Sequence, residues 1–472
     1  MLLKNIKLVL FWSLSWLFSL STFAQSESGT IYLDVGQAYI KTSLIAIPPF
    51  RYFGSQKTDK KILKAGVELY NVVKNNTVVS GFFTIIDQKA YLEDTSKTGL
   101  KPKTIEPEGF DFANWIPLKT DFLIRAGYQV IGDNIKFEVY TYHIPQGKLI
   151  LGRTYESTLE NIRTVAHTYC DDLMEALTGR KGMFNSKVVV SIKNGSHKEI
   201  NIMDWDGANI KQITNFKNIS ISPSWSSDGK QIAFTSFAYH PKAKVRNADL
   251  FTYELSTGKT FLLSSRKGIN SGSTFHPNGK DLYFTISKKG NPDIYKMDLA
   301  TERLQQQTDG PLGAMNVEPS ISPDGKWMAF SSDRSGRPMI YMKKVNSPPS
   351  ENPIRLINIG RYNSTPDWSP DGKRLAFAGF KDGHFDVYIL DIATRRVTKK
   401  LTAAKKRVGE KWKWSNNTSP TFSPDGRFVM YASDRWGPNQ IYIVDVDGRN
   451  IERRVTNDNL YYDTPKWQKR LN

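Results

Sequence analysis

The sequence predicts a small α/β domain followed by an all-β, six-bladed propeller closed by the C-terminal strand. Three observations carry that prediction. The unit EPSISPDGKWMAFSSDRSGRPMIYM (Glu318–Met342) recurs as SWSSDGKQIAFTS, STFHPNGKDLYFTIS, TPDWSPDGKRLAFAGF and SPTFSPDGRFVMYAS. Its glycines, Gly229, Gly279, Gly325, Gly372 and Gly426, lie 50, 46, 47 and 54 residues apart, a period that marks a stacked or radial array and not a single core. The array is also split at its ends: Lys187–Thr214 supplies only the last three strands of a unit, while Thr464-Pro465-Lys466-Trp467 matches a first strand and stops. Residues 30–180 lack the unit altogether and alternate strands with helices irregularly.

Taken in order, Leu2–Ala24 reads as a signal peptide: Lys4 and Lys7, the apolar run Leu8–Leu20, then Ser21-Thr22-Phe23-Ala24, with cleavage expected after Ala24. The run is short for a membrane anchor. No later segment approaches spanning length, so an exported chain that is not an integral membrane protein is expected. Residues 25–36 form an N-terminal segment expected to be mobile, with Ile31–Val35 extended. In the α/β domain, Leu44–Ile47 reads as a buried strand and Lys60–Lys74 as an amphipathic helix through Ile62, Leu63, Val67, Leu69, Tyr70 and Val73. Gly81–Asp87 is again a strand. Thr120–Val130 and Asn134–His143 pair across a Gly132-Asp133-Asn134 turn, and Leu149–Thr154 follows. A helix from Glu160 to Leu177 stops at Gly179, and 179–185 reads as a short linker to the propeller at 187–472.

Each propeller unit contains four apolar runs. An extended step ends in Trp225, Phe275, Ile321, Trp368 or Phe422, and the Asp/Asn-Gly turn follows because glycine accepts positive φ in a tight hairpin. Two further strands and a fourth ending in threonine or serine complete a propeller blade. The last strand of the chain is expected to complete the blade begun at Lys187, which removes the exposed edges of an open array. In this geometry the SPDGK hairpins lie on one face and have only a turn to make. The loops entering each first strand converge on the other face, at one mouth of the channel. Asn218, Ser220, Asn270, Ser271, Asn316, Glu318, Asn363, Thr365, Asn417, Ser419, Tyr462 and Asp463 are expected to ring that mouth, with Arg334, Arg337 and Arg435 beside them. Asn, Ser and Thr before proline are also ordinary turn formers; a polar rim is equally what a protein partner docks onto.

Composition narrows the function. Removing the signal leaves 63 basic against 46 acidic residues, a formal +17, which suits an acidic protein, anionic lipid or simple solvation. Nucleic acid does not suit an exported chain without a binding motif. Cys170, the only cysteine, sits on the stripe Ile162, Ala166, Tyr169, Leu173 and Leu177 and reads as a structural thiol. The six histidines show no metal-ligand spacing, and GxGxxG, GxxxxGK, HExxH and GxSxG are all missing. No catalytic residue, metal ligand or cofactor is therefore assigned, and the chain is read as a non-enzyme. Two alternatives stay open: a propeller hydrolase or lyase acting on an anionic glycan, and a cation or small-ligand site in the channel.

The order of parts is specific: a signal peptide, an α/β domain opening IYLDVGQAYIKTSLIAIPPF, then SPDGK blades ending in TPKW. It resembles the TolB family of the Tol-Pal system over essentially the whole mature chain. The resemblance implies a periplasmic, Gram-negative, non-enzymatic protein, expected to be a monomer, that supports outer-membrane integrity and constriction during division. It implies that the lipoprotein Pal binds the mouth, best matched here by Asn316, Glu318, Asn363 and Thr365. TolA would engage Ser26–Gly36, best represented by Ile31, Tyr32, Leu33, Asp34 and Gly36. Other outer-membrane or peptidoglycan-associated proteins are further candidate partners. The second blade entrance, INSGSTFHPNG, departs from the others in lacking the proline.

Overall fold

The computed structural model describes residues 42–55, 59–240, 247–287, 290–449 and 451–469. The expected signal peptide and the segment 25–36, including the residues expected to engage TolA, lie outside the described residues.

The N-terminal domain is a mixed sheet under two helices. Ser43–Ala46 pairs in parallel with Phe83–Ile85 and with the start of Phe122–Ile131. Phe122–Ile131, Asn134–His143 and Lys148–Thr158 continue as an antiparallel meander. Helix α1 spans Lys60–Ser80, six residues past the expected end. The polar run Asn75-Asn76-Thr77 does not stop it, because Asn76 is buried and meets His167 Nδ1 at 2.9 Å. Thr77 turns its hydroxyl onto Val73 O (2.8 Å). Gly81, in the left-handed region at φ 71°, ends the helix. Helix α2, Ile162–Thr178, ends at Gly179 as expected, and its predicted stripe is buried. Cys170 is buried too, and burial pushes its thiol well above the usual range.

Six four-stranded antiparallel sheets follow, five of them in strict sequence order from Ser220 to Arg454. The sixth is split as expected: Tyr461–Trp467 pairs with Lys187–Asn194, and His197–Asp204 and Lys211–Gln212 complete it. Blade 6 is therefore built from both ends of the propeller sequence. The repeated turn is closed by its own side chains. In blade 3, Ser322 Oγ donates to Asp324 (2.5 Å) and accepts Trp327 N–H (2.9 Å), while Gly325 sits at φ 71°.

The residues ending each innermost strand wedge between blades. Trp225 Nε1–H donates to Lys466 O (3.1 Å) and Trp368 Nε1–H to Ser320 O (3.0 Å). Asp367 reinforces the closure. Its buried carboxylate accepts Phe422 N–H (2.8 Å) and contacts Lys466 and Lys469 at 3.1 and 2.8 Å. Burial opposes that charge, but the two lysines hold the carboxyl below its ordinary range.

The two domains share one continuous core, and the hairpin face has a second job that the sequence did not announce. Arg427, in the SPDGR turn of blade 5, donates to Ser80 O at 2.5 Å; Arg449 donates to Gly81 O at 3.2 Å. Their guanidinium groups stand 4.3 and 4.1 Å from the Phe82 ring centroid. The expected linker is likewise packed: Met183 and Phe184 are buried, and Asp171 accepts Phe184 N–H and Asn185 N–H at 2.8 and 2.9 Å.

Candidate functional site

With the N-terminal domain anchored at the hairpin face of blades 5 and 6, the described residues of that domain leave the opposite mouth open. Its geometry begins with a bulge in every innermost strand, where the pairing register slips. The bulged residue is left-handed in all six: Ser222, Glu318, Thr365, Ser419 and Thr464 at φ 46–57°, and Gly272 at φ 63°. In five blades proline follows. The proline thus belongs to the bulge inside the strand and not to a turn before it. Positive φ is costly for a side-chain-bearing residue, and blade 2, which lacks the proline, has glycine there. Gly272→Ala is expected to cost about 1–2 kcal/mol in urea unfolding. A Cβ at Gly272 would meet nothing closer than 3.8 Å, so a loss below a few tenths would show that the backbone is unstrained.

Two residues before each bulge lie Ser220, Asn270, Asn316, Asn363, Asn417 and Tyr462, all fully buried. These expected rim residues hold the mouth together from within and do not face the channel. Asn316 Nδ2 donates to Asp293 (2.8 Å), and Asn417 Nδ2 to Asp386 (3.1 Å), each on the preceding blade. The threonine ending the fourth strand completes the latch. Thr308 accepts Ile294 N–H (2.9 Å) and donates to Asp293 (3.0 Å). Thr402 does the same with Val387 (3.0 Å) and Asp386 (2.8 Å). Sequence reasoning noted those threonines and missed their partner acids, which open the third strand. Blade 1 breaks the pattern: Ser264 bonds Asn270 directly (2.7 Å), and burial pushes Asp249 up to about 6.

The arginines divide. Arg334 donates to Asn316 Oδ1 (2.7 Å) and Ser332 Oγ (3.1 Å), and Arg435 to Tyr431 OH (2.7 Å) and Glu452 (2.8 Å). Both guanidinium groups are committed within their blades, whereas Arg337 is exposed. Asn218 donates to Phe237 O at 3.1 Å, tying its entrance loop to the loop that follows Gln231–Ser236. Ser271, Glu318, Thr365, Ser419 and Asp463 are half-buried on the innermost strands. Glu318 accepts Thr365 N–H at 2.8 Å, joining blades 3 and 4, and Asp463 pairs with Lys198 at 2.8 Å. Among the described residues the channel carboxylates Glu318, Asp367 and Asp463 thus all have partners, which offers poor material for acid–base chemistry.

What the mouth does present is aromatic. Seven large aromatic side chains of the described propeller are exposed; Phe237, Tyr239, Trp412, Trp414 and Trp436 belong to mouth-face connections and Tyr362 starts an innermost strand there, while Phe261 alone lies elsewhere. Exposed aromatics concentrated on one face mark an interaction surface.

Among the described residues, one group has ligand atoms close enough to hold a metal: His167, Asp204 and Asp206, at the domain junction. Cations already occupy it. Arg163 contacts Asp206 and Asp204 at 2.5 and 3.3 Å, and Lys187 contacts Asp204 at 2.5 Å. The group is an ion-pair clasp between α2 and blade 6. No described helix is long and apolar enough to cross a membrane.

The family described as PD40, TolB beta propeller domain, matches residues 174–353 and 349–471. A "Protein TolB homolog" of Chlorobium chlorochromatii is 34% identical over 264 residues, 56% of each chain. A "Tol-Pal system protein TolB" of Desulfosudis oleivorans is 29% identical over 273 residues, 58% of each chain. The chain thus matches little more than half the length of these curated relatives. The crystal structure of TolB from Acinetobacter baumannii superposes with a TM-score of 0.73 at 25% identity, covering 93% of this chain and all of that one.

Proposed function

The chain belongs to the TolB β-propeller family, and from that premise we propose that it is a non-enzymatic interaction component of a periplasmic Tol-Pal system. The mouth docks the lipoprotein Pal, and Ser26–Gly36 engages TolA. In this role the protein helps keep the outer membrane attached during constriction. The observation that carries the reading is the mouth with exposed aromatics, including Phe237, Tyr239 and Tyr362, on a ring whose blades 2–3 and 4–5 are joined by buried Asn–acid–Thr latches. Rigid aromatic side chains lose little entropy on docking and anchor most protein interfaces. Exposed Arg337 supplies a free cation for an acidic partner segment. Ile31–Val35, which its sequence predicts to be extended, suits addition to a partner's sheet edge.

Pull-down from envelope extract tests both sites, using the mature chain and a version lacking residues 25–36. Both are expected to retain a peptidoglycan-associated lipoprotein, and only the full mature chain TolA. Tyr239→Ala with Tyr362→Ala is expected to weaken lipoprotein capture at least ~tenfold. Capture unchanged by that pair, or TolA retained by the shortened chain, overturns the corresponding half.

A further inference from the structure

The loop between blades 4 and 5 is unlike its counterparts. It runs 16 residues, 401–416, where the other five entrances take 5 to 9 between strand ends. The excess forms a two-stranded hairpin, Lys405–Val408 against Lys411–Trp414, standing on the mouth face. Its base is fixed at two points. Trp414 stacks on His384 at 4.8 Å and 7°, with Lys405 4.6 Å from its ring centroid. Lys406 pairs with Asp434, which begins the loop carrying Arg435 and Trp436. The tip is left bare. Trp436 and Trp412 are the most exposed aromatic side chains among the described residues, at 72% and 68%. The hairpin carries five cations, Lys405, Lys406, Arg407, Lys411 and Lys413, against one acid, Glu410.

We propose that this hairpin, together with Trp436, is a membrane-docking element that seats the mouth face on an anionic phospholipid surface. Indole rings settle at the headgroup level of a bilayer, with an apolar body toward the chains and an N–H toward water. Lysine and arginine reach phosphates from the same depth, and each adds attraction to an anionic leaflet. A sugar is the poorer fit: tryptophan, lysine and arginine side chains are donors only, so among the hairpin's charged and aromatic side chains Glu410 alone accepts from hydroxyls. Two bare rings, one of them on a hairpin carrying five cations, match a plane of phosphates without requiring a shaped partner. The inference needs the mouth face to be open, not that a lipoprotein occupies it.

Because vesicles contain no protein, the test is independent of the lipoprotein reading. The mature chain is mixed with vesicles of phosphatidylethanolamine and phosphatidylglycerol, or of phosphatidylcholine alone, and followed by sedimentation and tryptophan emission. Binding with a blue shift is expected on the anionic vesicles only. Trp412→Ala with Trp436→Ala is expected to weaken it at least ~tenfold at an unchanged melting temperature, since both side chains are exposed. The proposal is overturned if the wild-type chain stays in the supernatant, if the double variant binds equally well, or if the tryptophans instead drive binding to purified peptidoglycan.

Discussion

Trp467→Ala is expected to destabilise the protein by about 3–5 kcal/mol and to loosen both domains at once. The residue is 1% exposed, and its Nε1–H donates to Ser186 Oγ at 2.7 Å. It lies in the core shared by blade 6, blade 5 and the two N-terminal helices. Deleting an indole there leaves a cavity that a closed ring cannot collapse around. It also leaves Ser186 Oγ without its donor. The closing strand pairs with Lys187–Asn194, far away along the chain, so side-chain packing such as that of Trp467 helps keep blade 6 complete. Asp367 assists by gripping Lys466 and Lys469, but both lysines are partly exposed and that contribution is the smaller. Urea unfolding followed by fluorescence, with protease sensitivity in the native state, measures the loss. A cost below about 1 kcal/mol would mean that the ring does not depend on its last strand.

Acidification is expected to weaken the domain junction through His167. Burial holds its imidazole at about 4, below the free value of 6.5. The neutral ring meets Asn76 through Nδ1, and Nε2 lies 4.0 Å from Asp204. The sign follows from linkage: a base depressed in the folded state binds its proton more readily when unfolded, so stability is full above pH 6.5 and is lost as pH falls toward 4. The limit is about 3 kcal/mol, and other titrating groups add their own slopes. The nearby charges are Arg163, Lys187, Asp204 and Asp206, and Arg163 and Lys187 oppose protonation as burial does. His167→Gln keeps a polar side chain beside Asn76 and cannot titrate. It is expected to flatten the wild-type loss between pH 6.5 and 4 by most of that amount. Parallel melting curves for the two proteins across this window would remove His167 from the account.

Much of the fold was legible because it is periodic. A positive-φ glycine every 46 to 54 residues, flanked by apolar runs, has few explanations, and the split blade followed from counting strands at the two ends. Helix α2 was readable from its stripe and its glycine stop. The expected helix α1 ended at Lys74 because its apolar stripe was followed only to Val73, whereas the polar run Asn75-Asn76-Thr77 is helical too. Its continuation depends on His167, 91 residues away along the chain.

The mouth was legible as a place but not residue by residue. Counting loops locates the face, whereas alternation along a strand cannot say which polar residue turns inward once a bulge shifts the register. Asn270, Asn316, Asn363 and Asn417 therefore looked like a docking rim and proved to be buried, Asn316 and Asn417 as latches onto the preceding blade. Arg334 and Arg435, expected beside the mouth, proved to be committed within their own blades. The 54-residue step was visible in the sequence, but its Lys–Trp hairpin was not read from it.

By itself the sequence determined the number of blades, their closure and the face on which the loops converge, since each depends only on local turn chemistry and the period of apolar runs. Tertiary structure alone decided which mouth residues are free, that a repeated turn such as Ser423–Arg427 also anchors the N-terminal domain, and that Trp412 and Trp436 share one face. Those outcomes depend on contacts between blades or between domains, whose partners are set by three-dimensional packing and leave no periodic trace in the chain.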